Sequence, residues 1–203
     1  MRKGEADLWA YERELKEEGK KLIAGVDEAG RGPLAGPVCA AACVLPFGLE
    51  IDGLNDSKKL TERQRERLYP VICEKAISWA VGFASPEEID EVNILNATYL
   101  AMNRAVSALK TAPDISIVDG NRSAGLSFEN ITVVGGDGKS ASVAAASVIA
   151  KVTRDRLMLE LSGKYPEYAF DKHKGYPTAL HYAKLREFGP SEIHRKTFLK
   201  KMH

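Results

Sequence analysis

The sequence predicts an α/β fold: a mixed central sheet flanked by helices, with a small helical appendage at the C-terminal end. Three observations carry this expectation. Two apolar, small-residue runs near the start are spaced as a strand hairpin. Beyond them short β-branched runs alternate with helical stretches, and a basic, mainly helical segment closes the chain.

Taken in order, residues 5–18 set Leu8, Trp9, Tyr11 and Leu15 among charges, the pattern of an amphipathic helix packed through one face. Residues 22–27 are expected as a buried strand, and residues 37–46, bracketed by Pro37 and Pro46, as its hairpin partner. Thr61 with Gln64 makes a capping box for a helix that Pro70 is expected to kink or divide. Residues 77–84 read as a further strand. Ser85-Pro86-Glu87-Glu88 then supplies an N-cap, a first-turn proline and a capping glutamate, opening a helical region through Leu95, Leu100 and Leu109. Residues 115–118 and 131–134 are short strands, each followed by an aspartate, Asp119 and Asp137. A long helix over residues 140–161 begins with small residues that permit close packing on a sheet. The remainder is basic and helical, broken by a loop over residues 172–177.

A chain of 203 residues fits one domain with a small appendage. No apolar stretch approaches the roughly 18 residues that span a bilayer, and Arg2, Lys3, Glu5 and Asp7 replace any apolar signal region, so no membrane partner and a cytoplasmic location are expected. Cys39, Cys43 and Cys73 are odd in number and form no Cys-x-x-Cys pair, which argues against a disulfide framework or a zinc site and for buried free thiols. The formal net charge of +1 conceals an asymmetry: residues 171–203 hold eight Lys and Arg against three acids, a tail of +5 beside a remainder of −4. A basic flank beside an acidic centre suits phosphates bound next to metal-holding carboxylates, and equally a solvated helical face.

The acids that matter stand at Ile23-Ala24-Gly25-Val26-Asp27-Glu28-Ala29-Gly30-Arg31-Gly32-Pro33. An acid pair ending a buried apolar run is costly unless paired or metal-bound, and Gly30 and Gly32 let the backbone approach a bulky ligand. Adjacent residues on an ideal strand point to opposite faces, so Asp27 and Glu28 serve one site together only if the strand ends or bulges there. Asp119-Gly120 and Asp137-Gly138, taken singly, fit ordinary turns. Asp155, between Arg154 and Arg156, reads as part of a structural ion pair. Two nucleotide motifs fail on context: Gly30-Arg31-Gly32-Pro33-Leu34-Ala35 leads into a strand rather than a helix, and Gly138-Lys139-Ser140 lacks the earlier glycine of a P-loop, Val133 standing there.

The stretch around Asp27 resembles the signature of ribonuclease HII, and so do Asp56-Ser57-Lys58-Lys59-Leu60, Val118-Asp119-Gly120, Gly136-Asp137, Ala144-Ala145-Ala146-Ser147-Val148-Ile149-Ala150-Lys151-Val152 and His173-Lys174-Gly175-Tyr176-Pro177-Thr178, in that family's order and spacing from about residue 22 to Lys196. The resemblance implies a ribonuclease H-like fold, with residues 1–20 as an N-terminal helix, 21–163 as the catalytic core and 164–203 as a basic extension packed on it. It implies Asp27, Glu28, Asp119 and Asp137 as catalytic and metal-holding acids for Mg²⁺ or Mn²⁺, two ions with substrate bound, about 4 Å apart. Four acids so gathered repel by on the order of 4 kcal/mol per pair at an effective dielectric near 20, so weak metal-free packing and raised carboxylate pKa values are expected. Gly30, Arg31 and Gly32 are implied to contact the 2′-hydroxyl of a ribonucleotide, and Tyr176 to pack on the following deoxyribose. Lys58, Lys151, Lys174, Arg195 and Lys196 are candidate phosphate contacts; His173 and His181 fit packing roles.

The implied activity is a metal-dependent endonuclease that hydrolyses RNA in RNA/DNA hybrids and incises 5′ to single ribonucleotides in duplex DNA. Two other readings stay open, a hybrid-binding protein without catalysis and a junction resolvase of the same fold. With only about twenty residues before the first strand, type HII is favoured over HIII. A monomer is expected, and no sliding-clamp motif is evident in residues 197–203.

Overall fold

The computed structural model describes residues 7–54 and 60–200. Five strands, β1 (Ile23–Ala29), β2 (Val38–Val44), β3 (Ser78–Ala84), β4 (Ile115–Asp119) and β5 (Asn130–Val133), make one sheet in the order β3-β2-β1-β4-β5. β2 is antiparallel to β1 and to β3, whereas β4 is parallel to β1 and β5 to β4, so the sheet is mixed as the pattern predicts. The central strand is β1, with a partner on either side.

Helices cover both faces. α1 (Ala10–Glu17), α2 (Glu62–Lys75) and α4 (Ala141–Lys164) lie on one side, and α3 (Pro86–Ser107) on the other. Strand periodicity sorts the core: Ala24, Val26, Ala40, Ala42 and Val118 pack under α3, while Ala41 and Cys43 pack under α2 and α4. α4 comes unusually near β1 because its first turns are alanine and serine and because position 25 has no side chain. A Cβ on Gly25 would lie 2.0 Å from the carbonyl carbon of Ser142.

Local signals explain the helix starts. Thr61 and Ser85 close complete capping boxes with Gln64 and Glu88, and Ser140 accepts the amide of Val143. Glu12 on α1 reaches into the interior, accepting the Ser140 hydroxyl at 2.6 Å and the Ser142 amide at 3.1 Å, which ties α1 to the start of α4. Three expectations need correction. α2 is not divided at Pro70; it runs unbroken from Glu62 to Lys75, with Leu68 and Ile72 buried beside the proline to hold it in place. β1 does not end at Asp27 but pairs through Ala29 with Cys39 of β2. And α3 is broken where the pattern gives no warning: Asn93 takes φ 69°, and its side-chain oxygen caps the amides of Leu95 and Asn96 as a new helix start.

After α4 the chain makes a 3₁₀ turn at Pro166–Tyr168, then α5 (Phe170–His173), α6 (Ala179–Phe188) and α7 (Lys196–Leu199). This helical segment packs on the rest through Leu34, Met158, Tyr168, Phe170 and Leu185, and through a bridge between His194 and Ala35. Cys39 and Cys43 are buried free thiols and Cys73 is half-buried; burial pushes the Cys39 thiol up to about 12. Among the described residues, no helix is long and apolar enough to cross a membrane.

Candidate active site

β1 and β4 run parallel with Gly25 opposite Ile117 and Val26 opposite Val118. One residue on, Asp27 and Asp119 therefore stand side by side at the C-terminal ends of neighbouring strands, on the face covered by α4. Open α/β sheets commonly carry their sites at such ends. Asp137 arrives from a 3₁₀ turn at Gly136–Gly138 just ahead of α4. Asp119 itself secures that turn, its Oδ1 accepting the Gly136 amide at 2.8 Å. Carboxylate oxygens of Asp27, Asp119 and Asp137 all lie within 4.8 Å of one another.

Asp27 and Asp137 are only 4% and 3% exposed, so the cluster sits in a poorly solvated corner. Burial first, then the charges of Glu28 and Asp119, push the Asp27 carboxyl well above the usual carboxylate range; the Ser147 hydroxyl and the Glu28 amide, the latter at 2.7 Å, pull it back. Ser147 is on α4, seven residues from the cap Ser140 and four from Lys151, spacings that keep all three on one helical face. That polar stripe, Ser140, Ser147 and Lys151 within an alanine run, is the signal by which sequence reasoning could have found it.

Glu28 is not brought into the three-acid cluster. Since β1 stays a regular strand, Glu28 points to the α3 face, where it faces Leu95, Thr98, Tyr99 and Asp119 across a second groove of about 260 Å³. Its Oε1 lies 3.3 Å from Arg31. The main cleft, also about 260 Å³, is lined by Asp27, Glu28, Gly30, Arg31, Gly32, Arg65, Ser147, Lys151 and Tyr176. Asp27, Glu28, the glycine turn and the tyrosine thus share one opening, and Asp119 borders the second groove. Arg65, whose guanidinium donates to the carbonyl of Leu60, is a cleft cation that no motif singles out.

Gly30 has φ 97°, and a Cβ there would lie 2.0 Å from Nε of Arg154, so both conformation and space require glycine. Gly32 has only Tyr176 near its missing side chain, at 3.9 Å. The Tyr176 ring is flanked by the Lys151 ammonium at 5.5 Å and the Arg154 guanidinium at 5.7 Å from its centroid.

The basic candidates divide. Lys151 lines the cleft and pairs with Asp155 at 2.8 Å, so Asp155 is in an ion pair as expected, its partner one helical turn back. Lys174 does not line the cleft; its ammonium donates to the Asp171 carbonyl. Lys196 is exposed at the start of α7, and Lys58 lies outside the described residues. Arg195 is the clearest correction. Expected at a phosphate, it is fully buried, and its guanidinium is spent on the carbonyls of Gly30, Arg31 and Gly36 at 2.6, 2.9 and 3.0 Å. Arg154, equally buried, binds the carbonyls of Ala35, Pro37 and Lys174. A guanidinium offers five donors in a fixed fork, which is why backbone carbonyls with no other partner select it.

The family model described as Ribonuclease HII matches residues 24–203. The chain belongs to the ribonuclease HII family. It is 53% identical over 194 residues to the ribonuclease HII of Acetivibrio thermocellus, covering 96% of this chain and 76% of that protein, and 57% identical over 182 residues to that of Shewanella oneidensis, covering 87% of each. The crystal structure of ribonuclease H2 from Pyrococcus horikoshii superposes with a TM-score of 0.71 at 33% identity, over 87% of this chain and 93% of that one. The fold is therefore ribonuclease H-like, and the protein is a type 2 ribonuclease H, an endonuclease of RNA/DNA hybrids.

Proposed function

We propose that this ribonuclease HII is a metal-dependent endonuclease that also incises 5′ to single ribonucleotides in duplex DNA, leaving 3′-hydroxyl and 5′-phosphate ends. One observation carries the reading: carboxylates far apart in the chain, Asp27, Asp119 and Asp137, converge within 4.8 Å beside the Gly30–Gly32 turn and Tyr176. The donor set fits hard divalent ions such as Mg²⁺ or Mn²⁺, being all carboxylate oxygen. The raised Asp27 carboxyl fits too, since a cation would relieve the repulsion from Glu28 and Asp119. Asp27, Asp119 and Asp137 would hold such an ion, with Glu28 reaching the substrate side from the α3 face. The chemistry two such ions supply when bound is activation of water and stabilisation of the leaving 3′ oxygen.

The other residues position the duplex. The glycine turn admits a sugar edge to backbone range, Tyr176 offers a ring face for the next sugar, and Lys151, Arg65 and Arg31 surround the phosphate with positive charge. Lys58, Lys174 and Lys196 remain proposed contacts along the flanking duplex. Residues 21–163 would supply the acids and the turn, and the 164–203 extension Tyr176. Because the cleft is built from one chain, action as a monomer goes with this reading, as does residence in the compartment that holds DNA.

The test is incubation with Mg²⁺ or Mn²⁺ and a DNA duplex bearing one ribonucleotide. A single cut 5′ to that ribonucleotide, lost in EDTA, is the expected result. Binding without cutting would favour a non-catalytic hybrid binder, and equal cutting of all-DNA junctions a resolvase; either would overturn the proposal.

A further inference from the structure

Residues Ile193–Arg195 run beside Leu34–Gly36: Gly36 donates to the Ile193 carbonyl and Arg195 to that of Leu34, with a bridge between Ala35 and His194. From this fixed strip two adjacent side chains reach in different directions. Arg195 takes the carbonyls of Gly30 and Arg31. A trans peptide points its carbonyl and its amide to opposite sides, so holding those two oxygens inward turns the amides of Arg31 and Gly32 the other way. His194 reaches the loop that bears Tyr176. Its Nδ1 accepts from the Ser191 amide at 2.9 Å, which leaves the proton on Nε2, 3.0 Å from Nε2 of His181; His181 in turn donates from Nδ1 to the Tyr176 carbonyl at 3.0 Å.

We propose that the His194-Arg195 pair is a specificity-determining positioning element, which sets the orientation of the Gly30–Gly32 turn and its distance from Tyr176 so that a ribose is accepted and a deoxyribose is not. This rests on the turn being the reader of the ribonucleotide. Neither residue touches the substrate. Arg195 acts through the turn and His194 through His181 and the Tyr176 loop. The burial of both, at 0% and 1% exposure, makes the clasp rigid and keeps water from competing for the carbonyls.

The readout is a ratio: the affinity of the full-length protein for a duplex with one ribonucleotide over that for the all-DNA duplex of the same sequence, with Ca²⁺ present so that no strand is cut. Partial unfolding lowers both affinities together and leaves the ratio unmoved. Arg195→Lys keeps the charge and loses the fork, and is expected to reduce the ratio about tenfold, the loss of roughly one well-placed hydrogen bond in a site built to read a hydroxyl. His194→Gln is expected to reduce it in the same direction, and carries the test if Arg195→Lys does not fold. Gly32→Ala reports on the turn itself. If Gly32→Ala collapses the ratio while both clasp variants keep it, the positioning proposal fails and the turn reading stands. If Gly32→Ala leaves the ratio intact, the turn reading fails and takes the proposal with it.

Discussion

Asp27 is a carboxyl held above its ordinary range by burial and by two acidic neighbours, and the consequence is measurable without any substrate. Its folded-state pKa exceeds the unfolded one, so the penalty is absent at low pH and grows as pH rises from the unfolded value to the folded one. Asp27→Asn removes it. The variant should melt higher than wild type in EDTA, by about 1 kcal/mol or a few degrees, while losing cutting by on the order of a thousandfold or more and keeping duplex binding. Scanning calorimetry and a gel assay check the two halves. Tyr176→Ala should fold, since the ring is only half-buried, yet incise a single-ribonucleotide duplex on the order of tenfold to a hundredfold more slowly. At this scale the three clustered aspartates were legible only through the family resemblance, since Asp119-Gly120 and Asp137-Gly138 taken singly fit ordinary turns. Arg195 was not: a basic residue in a basic tail looks like a phosphate contact until burial shows it holding carbonyls.

Capping boxes at Thr61 and Ser85 and the apolar or β-branched runs of β1, β2, β4 and β5 were readable because each is a local rule satisfied locally. The break at Asn93 was not, because asparagine in left-handed backbone leaves no trace in a helical pattern. Nor was the closeness of α4 to β1. That closeness carries a prediction: Gly25→Ala should destabilise by roughly 3 kcal/mol or more, read as a lower urea midpoint, because a Cβ 2.0 Å from Ser142 pushes away the helix that Asp137 precedes. The packed imidazoles between α5, α6 and the 190s segment carry another. His181 and His194 are depressed to about 4, by burial first and by neighbouring histidines second, facing Tyr168, Phe170 and His173. With the folded values below the ordinary 6.5, stability is whole above that pH and drains between 6.5 and 4. The urea midpoint should fall between pH 7 and pH 5 by the equivalent of about 2 kcal/mol after allowance for screening, and His181→Asn should flatten that slope.

The whole molecule is arranged so that one sheet edge gathers what the chain keeps far apart, and a gathered set of acids should bind cations before it binds anything else. Adding Mn²⁺ or Mg²⁺ should raise the Tm in proportion to the logarithm of concentration, by about 2.7 kcal/mol at a hundredfold excess over Kd; a flat Tm would count against the acid cluster as an ion site. That convergence was legible as an expectation from the order of the motifs. The mixed sheet followed from alternation, whereas Asp27 and Glu28, expected at one site, face apart because β1 stays regular through Ala29. Which side of the cleft the basic tail occupies was not, since it depends on the packing of Phe170, Met158 and Leu34. One more result comes from the place of β1 between β2 and β4. Its amides lose protection only when the sheet separates, so deuterium should enter Val26 and Asp27 at the rate of global opening. The charge centre would then stand still through every motion short of unfolding.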